Sequence, residues 1–245
     1  MEVTLPNRSV SLFTLIGIIG LLGAVTGFMG TFFLPVATGA FKAPLSIYIH
    51  GAFAFAWIII FLTQTLLIRS LKFRTHILLG TFGIFVAIGT AATMIPAGIF
   101  ATNKELAKGM GDFSYAQITG TLTSALLFLT LVMLAVLNRK RPDVHKRFML
   151  LATILVLWPA WFRFRHFFPG VPRPDIWFGL VLSDSLILFS WIYEKKVRGR
   201  IHPVLLYGGL ALIIENTLEI ILFESSLWQY LGKAIYTAGT NAGIT

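Results

Sequence analysis

Several windows of about twenty nearly uncharged residues follow one another along this chain, with only short connections between them. An α-helix rises about 1.5 Å per residue, so each window is long enough to cross a hydrocarbon core of about 30 Å. No soluble domain fits between the windows. The sequence therefore predicts an all-α, polytopic membrane helix bundle of about seven transmembrane helices, forming a single transmembrane domain over residues 1–245.

Hydrophobic length and turn residues set the predicted ends of these helices. The segment after the last span is mildly amphipathic, with Trp228, Leu231 and Ile235 near one face, and we expect residues 224–245 to form an interfacial helix. The predicted spans are 9–36, 45–69, 76–99, 114–137, 146–168, 175–193 and 203–223.

The composition agrees with a membrane helix bundle and excludes several kinds of site. Hydrophobic residues make up 56% of the chain and charged residues only 12%, which indicates a lipid bilayer as the main partner. The absence of cysteine excludes disulfides, thiolate metal sites and iron–sulfur clusters. A net charge of +10 could indicate nucleic acid, but its distribution marks membrane topology instead, and no nucleic acid partner is expected.

The basic residues concentrate in alternate connections, which fixes a predicted orientation. By the positive-inside rule these connections are cytoplasmic, so the N-terminus is inside and the C-terminus outside. We expect a bacterial cytoplasmic (inner) membrane location with multiple passes. The basic clusters are Arg69, Lys72 and Arg74; Arg139, Lys140, Arg141, Lys146 and Arg147; and Lys195, Lys196, Arg198 and Arg200.

Four histidines fall at two predicted depths. His76 and His145 open spans three and five at the cytoplasmic boundary, whereas His50 and His166 lie toward the outside. His145 and His166 are separated by roughly 31 Å along one side of their helix. Two b-type haems stacked across a membrane need histidines at two such levels, so haem b is a candidate cofactor held by an inner and an outer pair.

The residues near these histidines are compatible with two interpretations, a haem site or closely packed helices with interfacial histidines. The small residues Gly80, Gly83 and Ala87 follow His76 on one helix face, which could admit either a flat macrocycle or a closely packed helix. Lys146 and Arg147 would then contact haem propionates or lipid headgroups. The alternative makes His76 and His145 interfacial anchors, with His145 facing solvent or bonding a carboxylate such as that of Asp143.

Carboxylates inside the spans form a second candidate site. Glu215 and Glu219 share one face of span seven, and Asp184 lies near the middle of span six. Charged groups at these depths are costly and should pair or neutralise. Arg163 and Glu219 have nearly the same depth, which predicts a buried ion pair. A proton path from Asp184 through Glu215 toward the outer surface is compatible with that pair.

The motif order resembles that of a known family. His50 with Gly51 and Gln64, a basic connection, His76 with Gly80, and HKRFML followed by a downstream arginine resemble a bacterial membrane-protein family of unknown function, number 2306. The usual form of the last motif there is HRRWM, so Lys146 and Phe148 are mild departures. The resemblance covers about residues 45–170 and implies a membrane location, without an established activity.

Three functions remain compatible with the sequence. The first is b-type haem-binding electron transfer with a redox partner. The second is a proton-coupled transporter that uses Asp184, Glu215 and Gln64, although no inverted repeat is visible. The third is an accessory subunit of a larger membrane complex. No motif decides whether the chain is an enzyme.

Overall fold

The computed structural model describes residues 11–244, and within them it consists of eight helices. Seven are long and apolar enough to span a membrane, which confirms the predicted bundle and makes this a multi-pass membrane protein. The helices are α1 Leu12–Ala37, α2 Leu45–Arg69, α3 Phe73–Ala107, α4 Gly111–Leu137, α5 Pro142–His166, α6 Asp175–Arg198, α7 Pro203–Leu222 and α8 Ser226–Asn241. Residue 9, where the first span was predicted to begin, lies outside the described residues.

Most predicted ends agree with the structure to within a few residues, and α3 shows the largest difference. The prediction ended this span at residue 99, but the helix continues to Ala107 and stops where Gly109 adopts a positive φ of 79°. Its 35 residues correspond to about 52 Å, which exceeds the hydrocarbon thickness. The last turns of α3 therefore extend beyond a bilayer.

Three spans contain irregular turns. A π-helical turn, Met29–Phe33, interrupts α1, and α6 opens with a π-helical segment, Asp175–Leu182. In α5 the regular helix ends at Val156, because Pro159 follows closely and has no amide hydrogen to donate. The chain then continues through a short helical turn into the 3-10 turn Arg163–His166.

Helices α2 to α5 form a four-membered ring at the centre of the molecule. Each contacts the next along the chain, and α5 closes back on α2, so that α3 and α5 face each other across a diagonal. Trp57 of α2 and Phe128 of α4 fill the middle of the ring, with ring centroids 4.9 Å apart and almost no exposed surface. This aromatic contact closes the centre of the ring between α2 and α4.

The remaining helices surround this ring. Helix α1 packs on α2 and α5, while α6 and α7 pack on α5 and on each other. The last helix, α8, packs on α4 and on the far end of α3, which confirms a helix in the predicted C-terminal segment. Its buried positions are Gly232 and Gly239, whereas Leu231, expected on the apolar face, is 40% exposed.

Candidate functional site

Three carboxylic side chains inside the spans come together along α6 and α7. We call Asp184, Glu215 and Glu219 the carboxyl seam. Asp184 of α6 is 4% exposed and its Oδ1 accepts a hydrogen bond of 2.7 Å from the Asn216 side-chain amide of α7. Its second oxygen, Oδ2, is buried and accepts no hydrogen bond from residues 11–244.

The two glutamates of the seam lie one helical turn apart on α7. Glu215 Oε1 accepts a hydrogen bond of 3.3 Å from the Thr123 hydroxyl of α4, and Oε2 is buried without a donor. Glu219 packs against Gly120 of α4, where an added Cβ would overlap its carboxyl oxygen. Gly120 therefore makes the space that Glu219 occupies.

Electrostatic interaction links the members of the seam. Glu215 lies within range of the charge of Asp184, and Glu219 lies within range of Glu215. At 1.5 Å per residue, Glu215 and Glu219 lie about 18 and 24 Å from the start of α7, and Asp184 lies about 21 Å from the end of α6. Asp184 and Glu215 thus lie well inside their spans, whereas Glu219 lies about 4.5 Å, or one turn, from the end of α7 at Leu222.

No basic side chain within the described part of the chain pairs with the carboxyl seam. The ion pairs formed by residues 11–244 involve none of its three carboxyl groups. An ionised carboxylate without a cation is costly in an apolar surrounding, and neighbouring carboxylates repel each other. The seam can therefore bind protons.

The predicted ion pair between Arg163 and Glu219 is wrong. Arg163 Nε donates a hydrogen bond of 3.2 Å to the Thr31 hydroxyl, and its guanidinium lies 4.0 Å from the ring centroid of Phe28 in α1. The irregular end of α5 explains the difference, because the break before Pro159 turns Arg163 toward α1. Glu219 instead faces α4.

The inner histidines lie on the two diagonal helices of the ring. His145 Nδ1 is 2.8 Å from the carbonyl oxygen of Ala135, and since that oxygen only accepts, the ring nitrogen donates. This bond leaves Nε2 of a neutral His145 with a free lone pair, as in histidines that bind metals. His76 lies within electrostatic range of His145, and its buried Nδ1 has no hydrogen-bond partner among the residues that the structure describes.

The surroundings of the inner histidines fit a macrocycle less well. The Gln64 amide donates a hydrogen bond of 3.0 Å to the His76 carbonyl oxygen and would contact a Cβ on Gly80 at 3.0 Å. Ile60 similarly covers Gly83 at 3.4 Å. The glycines of this helix face therefore pack against side chains of α2. This confirms the alternative of closely packed helices. The space predicted there for a porphyrin is filled.

The outer histidines are not brought together. His50 Nδ1 lies 3.0 Å from the Thr93 hydroxyl, and Arg163 lies within electrostatic range of the imidazole. His166 is exposed in the 3-10 turn that ends α5. An arginine therefore lies near His50, at the place where the sequence predicted a second histidine.

A ring of four polar residues connects α5, α6 and α7 at the end where the basic connections lie, here called the basic side. Arg147 of α5 is fully buried and donates to the carboxylate of Glu194 in α6 and to the Asp143 carbonyl oxygen. The second Glu194 oxygen accepts from the His202 amide at 2.9 Å. His202 Nε2 lies 3.2 Å from the Asp143 carboxylate, which completes the four-residue ring.

The four-residue ring was not predicted from the sequence, and it contradicts two of the predictions. Arg147 is not available to headgroups or propionates, and Lys146 lies 5.2 Å from the ring centroid of Phe13. The Asp143 carboxylate bonds His202, and His145 bonds a backbone carbonyl instead. The available signal was Glu194, an acidic residue among the basic residues that end α6.

Comparison with protein-family models, curated proteins and solved structures found no match to this chain. The resemblance of residues 45–170 to the family of unknown function therefore stays a prediction.

Proposed function

We propose that this protein is a proton-coupled transporter of the bacterial cytoplasmic membrane whose carboxyl seam carries protons across the bilayer, also when no transported substrate is present. One observation supports the proposal above all others: three carboxyl groups lie within the spans, each within electrostatic range of another, without a basic partner among the described residues. Intramembrane carboxyl groups are rare and typically belong to proton or ion pathways. The distribution of basic connections supports the proposed orientation.

The geometry gives each residue of the seam a role in this proposal. Asp184 exchanges a proton with Glu215, and Glu219 passes it toward the predicted outer side. Asn216 and Thr123 hold one oxygen of Asp184 and of Glu215 respectively, which leaves the other oxygen of each free to carry a proton. Gly120 keeps space for the carboxyl group of Glu219.

Proton flux into vesicles tests this proposal. The full chain is reconstituted into liposomes that contain a pH-sensitive dye, and a potassium diffusion potential is imposed. We expect the protein to admit protons faster than empty vesicles do, and Glu219→Gln to abolish the difference. Glu224→Gln is the matched control, because Glu224 is exposed just beyond α7 and should leave the flux unchanged. Wild-type flux equal to that of empty vesicles would overturn the proposal.

A second function, b-type haem binding at the inner histidines, rests on a separate observation. The buried Nδ1 of His76 has no partner, and the bond from His145 to Ala135 leaves Nε2 available for a metal. If haem binds, His76 and His145 would hold its iron, and the group would supply one-electron transfer. The filled stripe at Gly80 and Gly83 weighs against it, which ranks this function second.

The visible spectrum separates the two functions. A Soret band that sharpens on reduction with dithionite, and that His145→Ala removes while His166→Ala retains it, would support haem at the inner pair. A colourless preparation from cells supplied with haem would exclude it and leave the proton proposal unaffected.

A further inference from the structure

An open cavity lies beside the four-residue ring on the basic side of the bundle. Its volume is about 420 Å³, and its lining comprises Asp143, Arg198, Arg200, His202 and Pro203. The cavity is thus bordered by the start of α5 and by the connection between α6 and α7. It is separate from the carboxyl seam, whose nearest glutamate, Glu215, lies about 18 Å along α7 from Pro203.

The local backbone explains why two arginines line this cavity. Helix α6 ends at Arg198, and Gly199 follows with a positive φ of 72°, a conformation that glycine adopts without the steric cost of a side chain. The chain reverses direction in the short connection between Arg198 and Pro203. Arg198 and Arg200 consequently both reach the cavity.

The charges around the cavity do not cancel. Arg198 and Arg200 are exposed and form no hydrogen bond or ion pair within the described part of the chain. The nearby carboxylates already have partners, since Glu194 binds Arg147 and Asp143 binds His202. His202 Nδ1 accepts from the Val204 amide, so the proton of a neutral imidazole lies on Nε2, which faces Asp143. A neutral His202 leaves the negative charge of the Asp143 carboxylate in place, so two guanidinium groups and one carboxylate give the cavity lining a net charge of +1.

We propose that this cavity binds a phosphate group, carried either by an anionic phospholipid headgroup or by a free phosphate. Guanidinium groups match phosphate oxygens with paired hydrogen bonds, which a single ammonium group does not. Basic pockets between helices at the cytoplasmic surface of a membrane are suited to anionic headgroups. Contact with headgroups, which the sequence predicted for Lys146 and Arg147, is thereby assigned to Arg198 and Arg200.

Retention of lipid by the intact protein tests this site. The purified chain is incubated with phosphatidylglycerol or phosphatidylcholine, and bound lipid is counted by native mass spectrometry. We expect retained phosphatidylglycerol, bound about tenfold more weakly by Arg198→Ala/Arg200→Ala, a change that corresponds to about 1.4 kcal/mol. The matched control, Lys195→Ala/Lys196→Ala, removes two exposed charges from the same helix end, outside the cavity lining.

A second titration distinguishes the two sources of phosphate. Inorganic phosphate is added to lipid-free protein in detergent, and binding is measured by calorimetry. Binding of phosphatidylglycerol alone, with the arginine dependence, identifies a headgroup site. Binding of inorganic phosphate with the same dependence identifies a site for free phosphate. Equal losses in the arginine and lysine variants, or no binding of either ligand, would overturn the proposal.

Discussion

Buried charges occur in two different settings in this protein. Arg147 and Glu194 neutralise each other on the basic side, and the remaining Glu194 oxygen accepts a backbone amide. Within residues 11–244 the carboxyl groups of the seam have no such cation, and Asn216 and Thr123 donate hydrogen bonds to Asp184 and Glu215 respectively. The first setting suits a structural ion pair, whereas the second suits groups that carry protons.

Removing one partner of the structural pair should be strongly destabilising. Because Glu194→Ala leaves Arg147 buried without a carboxylate, we expect it to lower the free energy of unfolding by about 3–5 kcal/mol. Replacing both residues, with Arg147→Met and Glu194→Leu, should recover much of this loss. Unfolding in mixed micelles measures both changes. Lys195→Ala is the control, since Lys195 is exposed one residue away, and its effect should stay within about 0.5 kcal/mol.

The residues of the candidate site could be predicted from the sequence only in part. Asp184, Glu215 and Glu219 stand out because carboxylates are rare within apolar spans, and their spacing on α7 follows from helical periodicity. The partner of Arg163 could not be predicted, because its direction depends on the irregular turns after Val156. The pairing of Arg147 with Glu194 joins residues 47 positions apart, which local patterns do not reveal.

At the level of secondary structure, close contacts with α4 and α3 hold helix α8 in its position. The carbonyl oxygen of Tyr115 would overlap a Cβ added at Gly232, so α8 lies directly against the start of α4. The Thr119 hydroxyl donates to the Trp228 carbonyl oxygen at 2.9 Å, and the Tyr236 hydroxyl lies 2.6 Å from the side-chain oxygen of Asn103. These contacts attach the C-terminal helix to the end of the bundle opposite the basic side.

A larger residue at Gly232 should detach α8 without unfolding the bundle. The clash in Gly232→Leu is with backbone, which a rotamer change cannot relieve, so we expect amide exchange in α8 to become at least about tenfold faster. Exchange followed by mass spectrometry measures this. Ala234→Leu adds a similar side chain at an exposed position of the same helix. Unchanged exchange in Gly232→Leu would contradict the tight contact.

Across the whole molecule, the order and number of the spans could be predicted from apolar length alone. The diagonal relation of α3 and α5 depends on which helices contact one another, and hydrophobic periodicity does not determine it. The same limit applies to the small stripe of α3. Its residues allow either a helix or a flat ligand, and the structure fills it with α2.

The orientation of the bundle leads to a further prediction. Because the basic connections favour the cytoplasmic side, a reporter active only outside the cytoplasm should be active after the C-terminus and inactive after Arg141. Reporter activity in intact cells gives the measurement, with immunoblots to show equal expression. The reverse pattern would invert the proposed direction of the carboxyl seam and move the arginine cavity to the outer surface.

Infrared spectroscopy of the reconstituted protein measures most directly whether the carboxyl seam holds protons. We predict a carbonyl band of protonated carboxylic acid at neutral pH that shifts in heavy water, because an uncompensated charge among these groups is costly. Glu219→Gln should diminish this band, and Glu224→Gln should leave it unchanged. A spectrum without such a band at neutral pH, or one that is identical in the two variants, would contradict the proton-carrying role of the seam.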